Sequence, residues 1–166
     1  MWSSEVTNMI ITGIWETLYM TLVSTLVGYV IGLPMGIILT VSDKDGIKPN
    51  AVLYKILDVI ANIVRSVPFI ILLVLLIPFT RLVVGKSYGS TATIVPLVIA
   101  AAPYIARMVE SSLKEVDAGV IEAARSMGAS NFTIITNVML VEARTSLLVG
   151  ATITLGTILG YSAMSG

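Results

Sequence analysis

Four long apolar stretches separated by short polar ones organise the chain. The first lies within Ile14–Val41, with Glu16 near its outer end, and the third and fourth run about Thr91–Met108 and Leu147–Met164. The second extends from about Ala51 to Phe79, but its apolar middle, Val67–Phe79, is too short to cross about 30 Å of hydrocarbon. This span must draw on residues before Pro68, which brings Asp58 and Arg65 toward the inner boundary. An arginine there snorkels, pairs with a carboxylate or faces a wet cavity, and snorkelling is the default. Pro34 should kink or loosen the first span, and Pro96 and Pro103 should break the hydrogen-bond ladder of the third. Gly28, Gly32 and Gly36 recur every fourth residue, a small-residue stripe on one helical face that lets another helix approach closely. Gly156 and Gly160 form a second such pair, in the fourth span.

Polar turns occupy Ser42–Asn50 and Thr80–Ser90, but the longest segment without a spanning pattern is Asp117–Val141. Its spacing predicts two short amphipathic helices hinged at one glycine. Val120, Ile121, Ala123, Ala124 and Met127 recur at three-and-four intervals, as on one apolar helical face. Glu122 and Arg125, three apart, are placed to pair on the neighbouring solvated face. Gly128 stands where a left-handed cap is required, which a residue without a Cβ enters cheaply. Ser130 or Asn131 then caps a second helix that carries Phe132, Ile135, Val138 and Met139 inward. An apolar-faced loop of this kind is a docking surface for a partner.

Composition fixes the class. Hydrophobic residues make up 56% and charged residues 12% of the 166 residues, with mean hydropathy +0.96. Soluble domains hold about a quarter charged residues, so this is an integral membrane protein of one domain, residues 1–166: an all-α, polytopic transmembrane helical bundle. The 10 basic and 10 acidic residues balance, and nothing points to nucleic acid. With no Cys and no His, thiol chemistry, disulfides and the commonest general base are excluded. No clustered carboxylate pair within a span could do acid–base work, so an intramembrane enzyme is disfavoured. Gly85-Lys86-Ser87 has the ending of a phosphate-binding loop, but Thr80 stands where its first glycine belongs. The N-terminus lacks the basic region of a signal peptide, so the first apolar stretch is a retained span. Lys44, Lys48 and Lys55 flank the first turn, and Arg107, Lys114, Arg125 and Arg144 flank the two-helix loop; the other side has Arg81 and Lys86. This bias places the first turn and the two-helix loop in the cytoplasm and the N-terminus outside.

Glu122-Ala123-Ala124, followed by Gly128, Val138 and Leu140, resembles the EAA loop of the permease subunits of bacterial ABC importers. The rest of the chain narrows the likeness to the methionine-import branch. It is carried by Gly13–Leu18, Arg65–Leu73, Ile77–Arg81, Ala101–Pro103, Ile105–Glu110 and Tyr161–Met164, and covers nearly the whole length. The resemblance implies a bacterial inner-membrane permease that works by alternating access, as a homodimer of this chain in membrane lipid. A cytoplasmic ABC ATPase dimer would bind the ATP and magnesium, leaving this chain with no cofactor, and an extracytoplasmic binding protein would deliver substrate. Val120 to Arg125, with Met127 and Gly128, would be the coupling loop. Met164 becomes a candidate pathway gate by its place in the Tyr161–Met164 stretch.

Two departures carry expectations of their own. Val141 follows Leu140 where the family's loop usually has proline, so the second loop helix should either fuse with the next span or join it loosely. Relatives continue through a glycine-rich outer loop into a fifth span, so a chain ending at Gly166 is expected to be a fragment or a truncated product. A permease for another amino acid or small solute, such as a phosphonate, shares the same loop. A non-transporting membrane scaffold or accessory subunit would show no dependence on an ATPase.

Overall fold

A computed structural model describes residues 3–165. The chain is helical, with no strand among the described residues. The first helix, α1 (Ser4–Ser42), starts earlier than the apolar pattern predicts, because Ser3 caps it by accepting the Val6 amide at 3.4 Å. It runs unbroken through Pro34. The expected second span is instead a broken one: α2 (Ala51–Ser66) and α3 (Phe69–Leu75) meet at 101°. Pro68 explains the break, since it lacks an amide proton and drives Val67 into extended backbone, φ −85° and ψ 123°. A short α4 (Ile77–Val84) follows and ends on Gly85 in the left-handed conformation.

Helix α5 (Ser90–Lys114) lies at the centre, packed on α1, α2, α3, α4 and α9 (Arg144–Ser162). It stays helical through Pro96 and Pro103 and continues past Met108, contrary to the expected break. Pro96 and Pro103 are themselves buried among these neighbours, so packing holds the backbone where local propensity would release it. Leu97, Ala101, Ile105, Val109 and Leu113, all spaced by four, form its buried ridge.

That ridge meets the glycines of α1. A Cβ added at Gly32 would lie 2.7 Å from the Ala102 carbonyl oxygen, and one at Gly36 would lie 2.6 Å from that of Ala106. At Gly28 the nearest atoms, on Ile105 and Ala101, stand at 3.0 and 3.1 Å. Gly156 and Gly160, expected to pack in the same way, face open space within this chain. The tight glycine of α9 is Gly150, whose added Cβ would meet the Met108 methyl at 3.3 Å. Three helices are long and apolar enough to cross a membrane, or four if the α2–α3 pair counts as one span.

The α1–α5 contact yields a direct test. Gly32→Ala pushes a Cβ into backbone and should cost about 1–3 kcal/mol, whereas Gly13→Ala, with nothing near its added Cβ, should be neutral or slightly stabilising. Thermal unfolding of both variants in detergent measures the difference.

Candidate functional site

The segment between α5 and α9 folds as the glycine hinge predicts, but faces differently. Asp117 caps α6 (Ala118–Ser126) by accepting the Gly119 amide at 2.7 Å. Gly128 adopts φ +83°, and the Ala129 amide closes back on the Ala124 carbonyl at 3.1 Å, ending the helix. Of the two candidate caps Ser130 is the one used, accepting the Thr133 amide at 3.2 Å. The second loop helix then comprises α7 (Asn131–Thr133), a π-helical turn (Ile134–Met139) and α8 (Leu140–Glu142). Only Ala143 separates it from α9, and the Leu147 amide bonds the Ala143 carbonyl at 2.9 Å. With Val141 in place of proline, the two helices therefore run nearly into one.

The five apolar positions of α6 do not share one buried face. Ala124 is buried and Ile121 half-buried, whereas Val120, Ala123 and Met127 are exposed, Met127 at 82%. In the second helix Ile134 and Met139 are the buried residues; Ile135 and Val138 are half-buried, and Phe132, expected inward, is 75% exposed. A three-and-four spacing identifies which residues share a stripe but not what covers it. Here the stripe is divided, and Val120, Met127 and Phe132 are apolar residues left exposed on either side of the hinge. Glu122 and Arg125, both exposed, form no ion pair; Arg125 instead donates to the Ile47 carbonyl at 3.3 Å. A cleft of about 570 Å³, lined in part by Asp43, Ile47, Lys114, Ile121 and Glu122, separates α6 from the first turn.

Directly above it lies an ion cluster that spacing alone does not reveal. Glu110, 4% exposed, accepts from Arg107 at 2.7 Å, from Lys114 at 2.8 Å and from the Tyr54 hydroxyl at 3.1 Å. Lys114 also pairs with Asp43 at 2.7 Å. Arg107 pairs with Asp58 and donates to Asn62 at 3.2 Å. Asp58 therefore belongs to Arg107 and not to Arg65. The cluster ties the end of α1, the face of α2 turned to α5 and the last two turns of α5 together, immediately before the loop begins. Its signal in the chain is the spacing Arg107, Glu110, Lys114, three and then four residues apart on one face of α5.

Met164 follows the last turn of α9, where its amide bonds the Tyr161 carbonyl at 3.0 Å, and it is exposed. Helix α9 starts level with Ser112, through the Ser146–Ser112 hydrogen bond of 3.0 Å, and ends level with Ala100 and Tyr104, which share a cavity with Tyr161. About 15 Å of α5, from Ser90 to Ala100, extends beyond that point at about 1.5 Å per residue. Met164 therefore lies part-way along α5 and not at its outer end.

Asp43 sits in the turn outside the spans. The Lys114 hydrogen bond holds its carboxyl below the usual carboxylate range; burial opposes this and the Lys44 amide assists it. A pKa lowered by folding stabilises the fold fully above the unfolded value of about 3.9, and the contribution is lost as pH falls through the lower folded value. The unfolding-temperature gap between the parent protein and Asp43→Asn should thus hold from neutral pH to about pH 5 and close only below about pH 4. Asp43→Asn should cost under about 1 kcal/mol. Glu110→Ala, which strips one carboxylate from two cations, should cost about 3 kcal/mol, at the lower edge for a broken buried pair because Asp58 and Asp43 remain.

Comparison with known proteins agrees with this architecture. Residues 32–165 match the family described as binding-protein-dependent transport system inner membrane component. The chain is 54% identical over 158 residues to the D-methionine transport system permease protein MetI of Salmonella typhimurium, covering 95% of this chain and 73% of that protein. Identity and coverage are the same for MetI of Escherichia coli K12. The probable D-methionine permease of Vibrio cholerae is 46% identical over 165 residues. Among solved structures, a chain of the inward-facing MetNI methionine ABC transporter superposes with TM-score 0.96 at 53% identity, covering 98% of this chain and 76% of that one. A chain of an amino acid ABC transporter crystallised with histidines has TM-score 0.77 at 24% identity, a likeness of fold.

Proposed function

The chain belongs to the family of binding-protein-dependent transport system inner-membrane components, and we propose that it is the permease subunit of an ATP-driven methionine importer. The observation that carries this reading is the 54% identity to D-methionine permeases along 95% of the chain. The chain would form the translocation path as a pair with a second copy, and a separate ATPase would supply the energy. An extracytoplasmic binding protein would hand over the amino acid.

The proposed point of contact with the ATPase is the outward patch of the two-helix loop. Met127, Val120 and Phe132 are apolar and uncovered, and a partner that buries them gains about 25 cal/mol per Å² of apolar surface. The Lys114–Asp43 pair and the Arg125–Ile47 bond put this loop and the first turn at the same end of the bundle. The excess of Lys and Arg around both supports a cytoplasmic position for them. The division of the α6 face also redirects the choice of residue. Ala124 lies in the protein's own core, so a charge there would disturb the fold before it disturbed docking.

Reconstituted with its ATPase and binding protein in proteoliposomes, the chain should accumulate radiolabelled methionine only when ATP is supplied. Absence of accumulation with an assembled complex would overturn the reading. Met127→Asp should leave the unfolding temperature of the isolated permease within about 2 °C, as a surface change does, and reduce methionine uptake by about tenfold or more through loss of docking. Co-purification and uptake assays distinguish this from a folding defect.

A further inference from the structure

The break between α2 and α3 leaves an arginine without an acidic partner. Irregular backbone at membrane depth persists where it lines a cavity, and an ionisable residue inside a span marks a pathway or ligand site. Arg65 meets both conditions where the α2–α3 pair is one broken span, and its side chain is exposed. It stands one residue before the last of α2, at the 101° turn. No carboxylate lies within 4.0 Å of it among the described residues, whereas Arg107 and Lys114 each hold two. Its guanidinium carbon sits 6.0 Å from the centre of the Tyr104 ring. Across the same space, Phe69 and Tyr161 stack with centroids 4.7 Å apart and planes 7° from parallel.

Arg65, Phe69, Tyr104 and Tyr161, with Ala100 and the Val64–Val67 turn, line a partly open cavity of about 170 Å³. That volume is close to the ~150 Å³ at which a cavity holds a benzene-sized molecule, and its accessible lining is more polar than apolar. The lining has two chemistries. One wall is the Arg65 guanidinium, whose forked set of donors matches a carboxylate in shape. The other is three aromatic rings, whose edges and faces attract a thioether sulfur. The cavity lies where the broken span, α5 and the end of α9 converge, well below the outer end of α5.

We infer that this cavity is a transit subsite in which Arg65 takes the carboxylate of the transported amino acid and the Tyr104, Phe69 and Tyr161 rings take its thioether side chain. The inference rests on the reading of the chain as a methionine permease and names residues in the membrane that touch the cargo. A guanidinium over a ring keeps its in-plane donors free, so Arg65 can face Tyr104 and hold a carboxylate at once. Selectivity at uptake remains with the binding protein.

The test uses the complete transporter in proteoliposomes and reads methionine delivered per ATP hydrolysed. Arg65→Gln should reduce that ratio by about tenfold, the worth of one charge-assisted carboxylate contact, while ATP turnover continues. Arg65→Lys should restore only part of it, since an ammonium lacks the fork. Tyr104→Leu should reduce it by about threefold through loss of the sulfur–ring contact. A merely structural role for Arg65 would reduce transport and ATP turnover together. If the parent complex moves methionine and Arg65→Gln delivers as much per ATP, the subsite is overturned; if the parent complex moves none, the functional reading itself fails. Should Arg65→Gln not assemble, Tyr104→Leu carries the test, and an unchanged ratio in it overturns the proposal.

Discussion

The close approach of α1 to α5 is the constraint on which the rest of the structure depends. At Gly32 and Gly36 the backbones come near enough that a single methyl group would collide with a carbonyl oxygen of the other helix. Association of helices in lipid draws on dispersion and shape, because hydrocarbon chains already surround both partners and no hydrophobic gain remains. Contact at this range needs small residues on at least one side, and the ridge of α5 from Leu97 to Leu113 fills the groove that the glycines leave. With α1 and α5 fixed to each other, α2 and α9 have a rigid surface to lie on.

The ion cluster extends this rigidity to the end that carries the loop. Glu110 is nearly enclosed, and its charge is supportable because two cations and a phenol converge on it. Each cation in turn reaches another element: Lys114 reaches the end of α1 through Asp43, and Arg107 reaches α2 through Asp58. Loop motion starting at Asp117 thus meets a knot that joins three helices at once. The α2 helix carries that connection from Asp58 to Arg65, two turns along, where it breaks and lines the cavity. One continuous helix and one cluster of charges thus lie between the start of the loop and the Arg65 cavity.

Much of this was legible in the chain, and the exceptions share a cause. The four-residue glycine spacing in α1, the hinge at Gly128 and the cap at Ser130 are local features, determined by backbone geometry that each residue type imposes. Proline was ambiguous: Pro68 breaks its span while Pro34, Pro96 and Pro103 do not. The two α5 prolines are enclosed by other helices, but Pro34 is exposed as Pro68 is, so exposure does not separate them. The α6 stripe was correctly periodic but wrongly oriented as a whole, since one half serves the core and the other stays open. The chain places Asp58 and Arg65 toward the inner boundary without naming a partner for either; that of Asp58 is Arg107 on α5, which no local pattern predicts. Gly156 and Gly160 repeat the spacing of α1 without its close contact inside this chain, so spacing identifies a capacity to pack and not a packed pair.

On the proposed function, the outward half of the two-helix loop, and not its inward half, receives the ATPase. Because the chain contains no cysteine, single substitutions give an unambiguous cross-linking assay. Met127→Cys, Phe132→Cys and Ala124→Cys permeases would each be assembled with the ATPase and treated with a short thiol-to-amine cross-linker. The account predicts cross-links from Met127→Cys and Phe132→Cys and none from Ala124→Cys. Cross-linking from Ala124→Cys with silence at the other two would contradict it.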